Sequence, residues 1–269
     1  DTPHVLIAGG PGSGRTGALH TSLLMLACSS ENRRARVMLV DFRRSSRLLR
    51  RLPNLWMYAD TEERLVQCVD ALKKEMRERM GRLRALLEQQ EDSDDLPSLE
   101  EDPIVLVIDD YDQFSVLSKN PLLDLKEFLL QARDLRLHII VVGTPNDLSR
   151  NDALLQQVKA CRLGLILGGD PQDQPLLGVR ISDLPPGRGY VVRRNQRYLV
   201  QVAHLDTKAM APWLARLKQS QGVGTQAVEA ITTTVVSEQG VKIVEALTED
   251  QQLLEEAKRI TDATLAGSV

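Results

Sequence analysis

Residues 9–16 form a glycine-rich segment whose residue types and spacing could hold a phosphate group. The segment reads Gly-Gly-Pro-Gly-Ser-Gly-Arg-Thr and fits the phosphate-binding pattern G-x-x-x-x-G-K-[ST] at every fixed position except the lysine, where Arg15 stands. Glycines let successive backbone N–H groups turn toward an anion, and the positive end of a following helix adds to the attraction. The predicted nucleotide-binding residues are Gly9, Gly12, Ser13, Gly14, Arg15 and Thr16.

Two residues of this loop decide what the site could do. The hydroxyl of Thr16 is predicted to ligate magnesium. A lysine would reach the outer phosphates as a compact point charge, whereas the guanidinium of Arg15 is a wide planar fork, and the two are not interchangeable in a tight site. The sequence thus predicts a nucleotide pocket and leaves hydrolysis open. The alternative is a glycine-rich turn that binds nothing.

A second motif places carboxylates after an apolar strand. Residues 104–108 are all Ile, Val or Leu, and Asp109 and Asp110 follow them, which is the form of a Walker B strand. We predict that Asp109 contributes to the magnesium shell, since magnesium in such sites keeps several waters. Asp110 occupies the position where a glutamate usually orients the attacking water, and its side chain is one methylene shorter. It is therefore a weak candidate for the catalytic residue, and a site altered in both motifs favours binding without efficient turnover.

The elements that must position these motifs alternate along the chain. Apolar runs predict strands over 4–8, 36–41, 104–108, 138–143 and 163–167, and apolar spacings of three and four predict helices after the loop and over 62–90, 122–135 and 150–159. Two short runs, 191–194 and 198–202, predict a terminal hairpin. Alternation of apolar strands with helices predicts an α/β fold, in which helices cover both faces of a mainly parallel central sheet.

The last fifty residues differ in character from the rest. Residues 219–269 carry eight acids and three bases, so their net charge is −5. Helical patterns cover 227–247 and 250–260, although a β-branched run at 232–236 weakens the first. We predict a nucleotide-binding domain over 1–218 and an acidic tail over 219–269. A helical arm and a partly disordered tail both remain open for this segment.

Composition excludes several classes of protein. The 269 residues carry a net charge of −3 and only 3% aromatic side chains, which argues against a nucleic-acid interface. Five arginines cluster just after the second predicted strand, and we expect a solvated helix face or a subunit interface there: Arg43, Arg44, Arg47, Arg50 and Arg51. Three widely separated cysteines predict buried thiols, not a disulfide framework. We expect a piece of a longer protein, whose membrane anchor would lie upstream.

Three motifs in order carry a resemblance to a known family. They are Asp41-Phe42-Arg43-Arg44, Ile108-Asp109-Asp110-Tyr111-Asp112 and Leu184-Pro185-Pro186-Gly187-Arg188-Gly189, the last before a hairpin that ends in Val200-Gln201. Over residues 3–218 the chain resembles the FtsK/SpoIIIE-type ATPases, and among them the C-terminal ATPase domain of the EccC/EssC proteins of type VII secretion. The resemblance implies a RecA-like P-loop NTPase fold, with ATP and magnesium as cofactors.

The resemblance also implies a cellular setting. Such proteins are anchored in the membrane and string several ATPase domains together on its cytoplasmic side, so the implied partners are upstream ATPase domains of the same polypeptide and a ring of identical chains. Later domains in the family often have degraded nucleotide motifs, in agreement with Arg15. The last domain recognises secreted helical proteins of the WXG type, and no motif assigns that pocket to residues of this chain.

Three functions remain open at this point. The first is a degenerate ATPase module that binds ATP weakly, hydrolyses little or none, and takes part in substrate recognition and motor regulation. The second is an active ring ATPase in which Arg15 does the work of the lysine. The third is a DNA translocase of the FtsK kind, disfavoured because those motors keep the lysine and the glutamate and because the tail here is acidic.

Overall fold

An eight-stranded sheet organises the chain. The computed structural model describes residues 3–29, 34–89, 98–116, 120–205, 207–220, 233–237 and 240–244. The strand order is β3-β2-β4-β5-β1-β6-β7-β8. The first six of these strands run parallel, and β7 and β8 extend the sheet as an antiparallel hairpin. The predicted α/β fold with a mainly parallel sheet and a terminal hairpin is confirmed.

The strands are short, and those at the centre are apolar throughout. Their bounds are β1 His4–Ala8, β2 Arg36–Val40, β3 Leu55–Ala59, β4 Ile104–Ile108, β5 Leu137–Gly143, β6 Leu163–Leu167, β7 Arg188–Arg193 and β8 Gln196–Gln201. All five residues of β4 are buried, as expected for a parallel strand covered on both faces. The edge strand β3 was not predicted, although its residues Leu-Trp-Met-Tyr-Ala form a short apolar run; four of the five are only half-buried at the edge of the sheet.

Among the residues that the structure describes, six α-helices and three short 3₁₀ segments accompany the strands. The helices are α1 Arg15–Cys28, α2 Glu62–Gln89, α3 Lys126–Leu129, α4 Pro145–Leu148, α5 Ala153–Ala160 and α6 Thr207–Ser220. The 3₁₀ segments are Arg47–Arg51, Tyr111–Val116 and Pro121–Leu125. Within the described residues, no helix combines the length and the apolar composition that a membrane crossing needs.

Helices cover both faces of the sheet. On one face α1, α6 and the segment Arg47–Arg51 contribute to a cluster that includes Leu19, Leu49 and Leu214. On the other face α2, α3 and α5 enclose a larger cluster. The carboxyl ends of the parallel strands are therefore left open between two layers, which is where ligands bind in such folds.

Two predicted helices differ from what is observed. The segment 122–135 is a 3₁₀ turn, the short helix α3 and a series of turns, because its apolar residues are buried by tertiary packing that does not require a continuous helix. Within the predicted helix 227–247, Thr233–Ser237 and Gly240–Val244 form an antiparallel hairpin, β9 and β10, so the β-branched residues prevailed over the helical pattern. The predicted helix 250–260 lies outside the described residues.

Candidate functional site

The glycine-rich loop connects the buried strand β1 to α1. Gly10 N donates to Gly168 O (2.8 Å) and Ser13 N donates to Gly10 O (3.2 Å), which closes the loop into a tight turn. Gly12 and Gly14 have φ angles of +74° and +94°, a region that side chains disfavour. A Cβ on Gly14 would also lie 2.9 Å from Gly187 N. Glycine at position 14 is therefore required both by backbone conformation and by space.

Several donors of this loop have no partner of their own. Among the described residues, the backbone N–H groups of Gly14, Arg15, Thr16 and Gly17 donate to no backbone carbonyl. Ser13 Oγ and Arg15 Nη1 are buried and likewise have no partner in the described part of the chain. Buried donors in native proteins are nearly always satisfied. These atoms fit an anion at the start of α1, where the helix dipole is positive.

The loop Leu184–Gly189 closes one side of this turn. Gly187 N donates to Ser13 O (2.8 Å), and Val202 N donates to Gly187 O (2.8 Å). The side chain of Gln201 donates to Pro186 O (3.0 Å). The proline–glycine motif before the hairpin would by itself indicate only a turn. In the structure it joins the glycine-rich loop to β8.

Arg15 points at the altered Walker B position. Its Nη2 lies 3.7 Å from Asp110 Oδ1, and Arg43 Nε lies 3.4 Å from Asp110 Oδ2. Arg43 also contacts Asp112, with 2.6 Å between Nη2 and Oδ2. Asp110 has a φ of +52°, a conformation that aspartate tolerates better than most residues. The structure therefore brings together the two residues that depart from the nucleotide-binding patterns, and it places them in one ion-pair network.

The pKa of Asp110 reflects this environment. Burial raises it first, and the neighbouring Asp109 raises it further, while Arg43 and Arg15 oppose both effects. The two arginines thus favour the charged form of a carboxylate that burial disfavours. Arg15 in turn has Asp110 as its carboxylate partner.

Asp109 belongs to a buried hydrogen-bond network that the sequence did not reveal. Ser45 Oγ and Ser46 Oγ both donate to Asp109 Oδ2, at 3.0 Å and 2.9 Å. Asp109 is 2% exposed, and burial raises its pKa, an effect that the two serine hydroxyls oppose. The neighbouring carboxylate of Asp41 raises the pKa further. Asp109 is therefore held in place from the side of β2.

Asp41 is the second carboxylate of the same network. It follows β2 as Asp109 follows β4, and the register pairs the last residues of these strands, Val40 and Ile108. Asp41 Oδ1 accepts from Ser45 N (3.0 Å), and Oδ2 accepts from Ser46 N (3.0 Å) and from the hydroxyl of Tyr58 (2.9 Å). A turn of serines after a buried strand-end aspartate was the sequence signal available for this arrangement.

His20 links the network to the helix that follows the loop. Its Nε2 lies 3.1 Å from Ser46 Oγ. Since the single hydroxyl proton of Ser46 is donated to Asp109, His20 must donate through Nε2. Burial lowers the pKa of His20, and Asp41 opposes that shift, in keeping with a neutral ring that donates one hydrogen bond. The carboxyl ends of β2 and β4 are thereby tied to α1.

The structure brings the predicted site residues together at the carboxyl ends of β1 and β4. Gly9, Gly12, Ser13, Gly14, Arg15 and Thr16 occupy the turn after β1 and the start of α1, and Asp109 and Asp110 follow β4. No group of three or more His, Cys, Asp or Glu residues that could hold a metal ion by itself occurs in the described ranges. Thr16 and Asp109 remain predicted magnesium ligands, and a metal bound there would rely on nucleotide phosphates as well.

Comparison with known proteins identifies the family. A sequence model of the FtsK/SpoIIIE family matches residues 1–182. The chain belongs to the FtsK/SpoIIIE family. Its curated relatives include the ESX-4 secretion system protein EccC4 of Mycobacterium tuberculosis, 33% identical over 217 residues. The ESX secretion system protein EccC of Thermomonospora curvata is 38% identical over 109 residues, which is 39% of this chain and 8% of that protein.

Solved structures place this FtsK/SpoIIIE domain among the ATPase domains of type VII secretion. Thermomonospora curvata EccC, ATPases 2 and 3 in complex with a signal sequence peptide, superposes with a TM-score of 0.63 at 28% identity, over 77% of this chain and 37% of that one. EssC (ATPases 2 and 3) from Geobacillus thermodenitrificans gives a TM-score of 0.64 over 86% of this chain and 47% of that one, and at 18% identity it speaks for the fold alone. The predicted RecA-like P-loop fold is confirmed.

The chain corresponds to a part of its relatives. The match to EccC4 covers 75% of this chain and 16% of that protein. EccC proteins of type VII secretion are thus its homologues at the level of one domain. Its position among the ATPase domains of a longer protein stays a prediction.

Proposed function

We propose that this chain is a degenerate ATPase module of a type VII secretion motor. It binds ATP weakly, hydrolyses it little or not at all, and takes part in recognising WXG-type secreted proteins and in regulating the motor. The observation that carries the proposal is the ion pair between Arg15 and Asp110. The two residues that replace the usual lysine and glutamate face each other at the nucleotide loop.

This ion pair bears on both binding and turnover. A phosphate entering the loop has to share the Arg15 guanidinium with Asp110, and the negative charge of Asp110 repels it, so binding is weakened. A general base must come within hydrogen-bond distance of its water, but the carboxylate of Asp110 is engaged by Arg15 and Arg43. Weak binding and slow turnover therefore have one structural cause.

The residues that would hold ATP and magnesium fit that ligand. The N–H groups of residues 14–17, Ser13 Oγ and Arg15 Nη1 would donate to phosphate oxygens, while Thr16 and Asp109 would face the metal. Magnesium neutralises phosphate charge when bound. Ser45 and Ser46 hold Asp109 through Oδ2, which favours its other carboxylate oxygen for the metal shell.

The decisive experiment measures ATP binding and turnover on the same purified protein. We expect turnover well below about 1 s⁻¹, the lower end of typical enzymes. Arg15→Lys should tighten ATP binding about tenfold, since a point charge approaches the outer phosphates more closely than the planar guanidinium does. The double variant R15K/D110E should turn over faster than either single variant. Turnover at or above about 1 s⁻¹ by the unmodified chain would instead establish the active ring ATPase.

Substrate recognition is supported by the homologues. EccC of Thermomonospora curvata has been solved with a signal sequence peptide. Helix-in-groove recognition needs an apolar slot for side chains at i, i+3/i+4 and i+7. The apolar stripe of α2 does not supply that slot, because Leu65, Val69 and Leu72 are buried in the core. We therefore expect the peptide to bind elsewhere than at α2 and the nucleotide loop.

Calorimetry with C-terminal peptides of the secreted proteins encoded beside the gene tests this role. Micromolar binding that is unchanged by Arg15→Lys would support a receptor surface separate from the nucleotide. A peptide with its apolar anchors replaced by serine is the matched control. If no peptide binds at high micromolar concentration, either to this chain or to it joined to its upstream neighbours, the receptor role should be abandoned.

The setting we propose follows the same homologues. The module would be strung behind other ATPase domains of one polypeptide, anchored upstream at the inner face of the cell membrane, and would assemble with identical chains into a ring. Fractionation of cells that express the full-length protein, followed by size analysis of the detergent extract, tests both points. A full-length protein found only in the soluble fraction would contradict the anchor.

A further inference from the structure

An open pocket lies at the carboxyl ends of β2 and β3, away from the nucleotide loop. Its volume is about 320 Å³, in the lower range of small-molecule sites. Its lining residues come from the turn after β2, the segment Arg47–Arg51, the end of β3 and the start of α2, and they are Arg44, Arg47, Arg50, Tyr58, Asp60, Thr61 and Arg64. Four strand spacings of about 4.8 Å separate β3 from β1, so the pocket lies roughly 19 Å across the sheet from the strand that carries the loop.

The charge of the pocket is strongly positive. Four arginines and one aspartate line it, a net of +3, in a chain whose own net charge is −3. Glu62 and Glu63, the acids in the first turn of α2, are not among the lining residues. Like charges gathered around one cavity raise its potential and favour an anion of matching valence.

Two of the four arginines share a single carboxylate partner, and the other two have none in the described part of the chain. Arg44 Nε and Arg64 Nη1 both contact Asp60, at 3.1 Å and 2.6 Å. In the described part of the chain, Arg47 and Arg50 form no ion pair. The guanidinium of Arg50 lies 4.9 Å from the centre of the Tyr58 ring, a stacking contact that leaves its N–H edge free for an oxyanion.

Hydrogen bonds and a stacking contact restrain parts of the pocket walls. The Tyr58 hydroxyl donates to the buried carboxylate of Asp41, which fixes the ring on which Arg50 stacks. Arg44 has a φ of +57°, an uncommon conformation for a residue with a long side chain. Arg64 N lies 3.3 Å from Thr61 Oγ1, which caps the start of α2. Preorganised guanidinium groups recognise phosphate with less loss of side-chain entropy than mobile ones do.

We propose that this pocket, defined by Arg44, Arg47, Arg50 and Arg64, binds a small ligand that carries two or more phosphate groups. A single phosphate would neutralise at most two of the positive charges and would fill a small part of the volume. Two or more linked phosphates match the charge of +3 and allow bidentate contacts to several guanidinium forks at once. The site is separate from the nucleotide loop and does not depend on whether ATP is bound there.

Inorganic tripolyphosphate, titrated calorimetrically into the full 269-residue chain at 150 mM salt, tests the proposal. Arg47→Gln combined with Arg50→Gln should weaken binding at least tenfold. Arg51→Gln is the matched control, because Arg51 is an exposed arginine of the same 3₁₀ segment that does not line the pocket, and it should change the affinity less than twofold. Arg15→Ala, in the nucleotide loop, should leave this binding step in place.

Three results would overturn the proposal. One is an affinity for tripolyphosphate that R47Q/R50Q leaves within twofold of the unmodified chain, provided that both unfold at the same temperature without ligand. Another is an equal loss with R51Q, which would reduce the effect to net charge. The third is binding of a hexaglutamate peptide at least as tight as that of tripolyphosphate, which would make the pocket a site for clustered carboxylates.

Discussion

At the scale of single residues, Asp41 organises the carboxyl edge of the sheet. Its buried carboxylate accepts hydrogen bonds from Ser45 N, Ser46 N and the Tyr58 hydroxyl, and the two serines carry the network on to Asp109. Hydrogen bonds to a carboxylate stabilise the fold more than hydrogen bonds to a neutral acceptor, and without this acceptor the donors would be buried and unsatisfied.

Replacing this carboxylate should therefore be costly. We expect Asp41→Asn to lower the free energy of unfolding by about 2–3 kcal/mol. The NH₂ group of the asparagine would face N–H or O–H donors that now bond to a carboxylate oxygen. Tyr58→Phe removes one hydrogen bond of the same carboxylate and should cost about 1 kcal/mol. Urea unfolding monitored by circular dichroism measures both. Equal effects of the two variants would contradict a central role for Asp41.

His4 provides a second prediction at this scale. Its side chain is 1% exposed, and neither ring nitrogen has a partner among the described residues. Burial, and then the neighbouring His138, lower its pKa from 6.5 to about 4. Because the unfolded chain takes up this proton more readily, His4 favours the folded state above pH 6.5, and that contribution is lost as the pH falls from 6.5 toward 4.

The change His4→Phe should remove this pH dependence. Between pH 7 and pH 5 the unmodified chain should lose about 2 kcal/mol more free energy of unfolding than the variant does. Each pH unit below 6.5 costs about 1.36 kcal/mol while the unfolded chain is protonated at this site and the folded chain is not. Thermal and urea unfolding at the two pH values supply the measurement. His204→Gln, which alters an exposed histidine, should retain the full loss. A variant whose stability falls as steeply as that of the unmodified chain would count against the lowered pKa.

At the scale of elements, a buried arginine fastens α2 to the sheet. Arg79 is 1% exposed, and its guanidinium donates to Leu135 O (3.0 Å), Asp102 O (2.8 Å) and Glu75 Oε1 (3.0 Å). The first two acceptors lie just before β5 and β4. One side chain thus satisfies two loop carbonyls and fixes the long helix against the strand that carries Asp109.

Removing that guanidinium should loosen α2. We expect Arg79→Met to cost about 3 kcal/mol or more, because two carbonyls and the Glu75 carboxylate lose a buried partner. Arg82→Met is the matched control: Arg82 is 46% exposed in the same helix, pairs with Glu101, and should cost less than about 1 kcal/mol. Chemical denaturation of both variants decides the matter, and a loss below about 1 kcal/mol for R79M would refute this role.

At the scale of the whole molecule, the distribution of charge favours the proposed secretion module over a DNA motor. The chain carries a net charge of −3, and six of its 25 arginines line the pocket described above or pair with Asp110. Affinity for duplex DNA grows with the number of phosphates neutralised and falls steeply with salt. Ten of the 34 basic residues form ion pairs within the described part of the chain, and acidic residues outnumber basic ones overall.

We therefore expect no appreciable affinity for duplex DNA at physiological salt. Fluorescence anisotropy with a labelled duplex, repeated over a range of salt concentrations, gives the affinity and its salt slope. The variant R47Q/R50Q shows whether any residual binding uses the arginine pocket. Micromolar affinity for duplex DNA that falls steeply with salt would instead support the function of a DNA translocase.

The sequence alone determined the loop, the apolar strands and the sheet class of this protein. A phosphate-binding turn depends on glycines at fixed spacing, and a central parallel strand depends on a run of apolar residues, so both are written in consecutive positions. The apolar pattern over 104–108 and the two aspartates after it predicted the carboxyl end of β4, where the candidate site lies, at the correct residue. Local sequence also predicted the hairpin that became β7 and β8, to within three residues.

Only the tertiary structure decided which of these residues meet. The partnership of Arg15 with Asp110, of Asp41 with Asp109, and of Gly14 with Gly187 depends on strand order and loop closure, which join positions up to about 170 residues apart. The arginine pocket likewise needs the edge strand β3 to lie beside β2, and a short apolar run does not say which strand it pairs with. Local periodicity records which face of an element is buried, whereas contacts between distant segments are set by the packing of the whole chain.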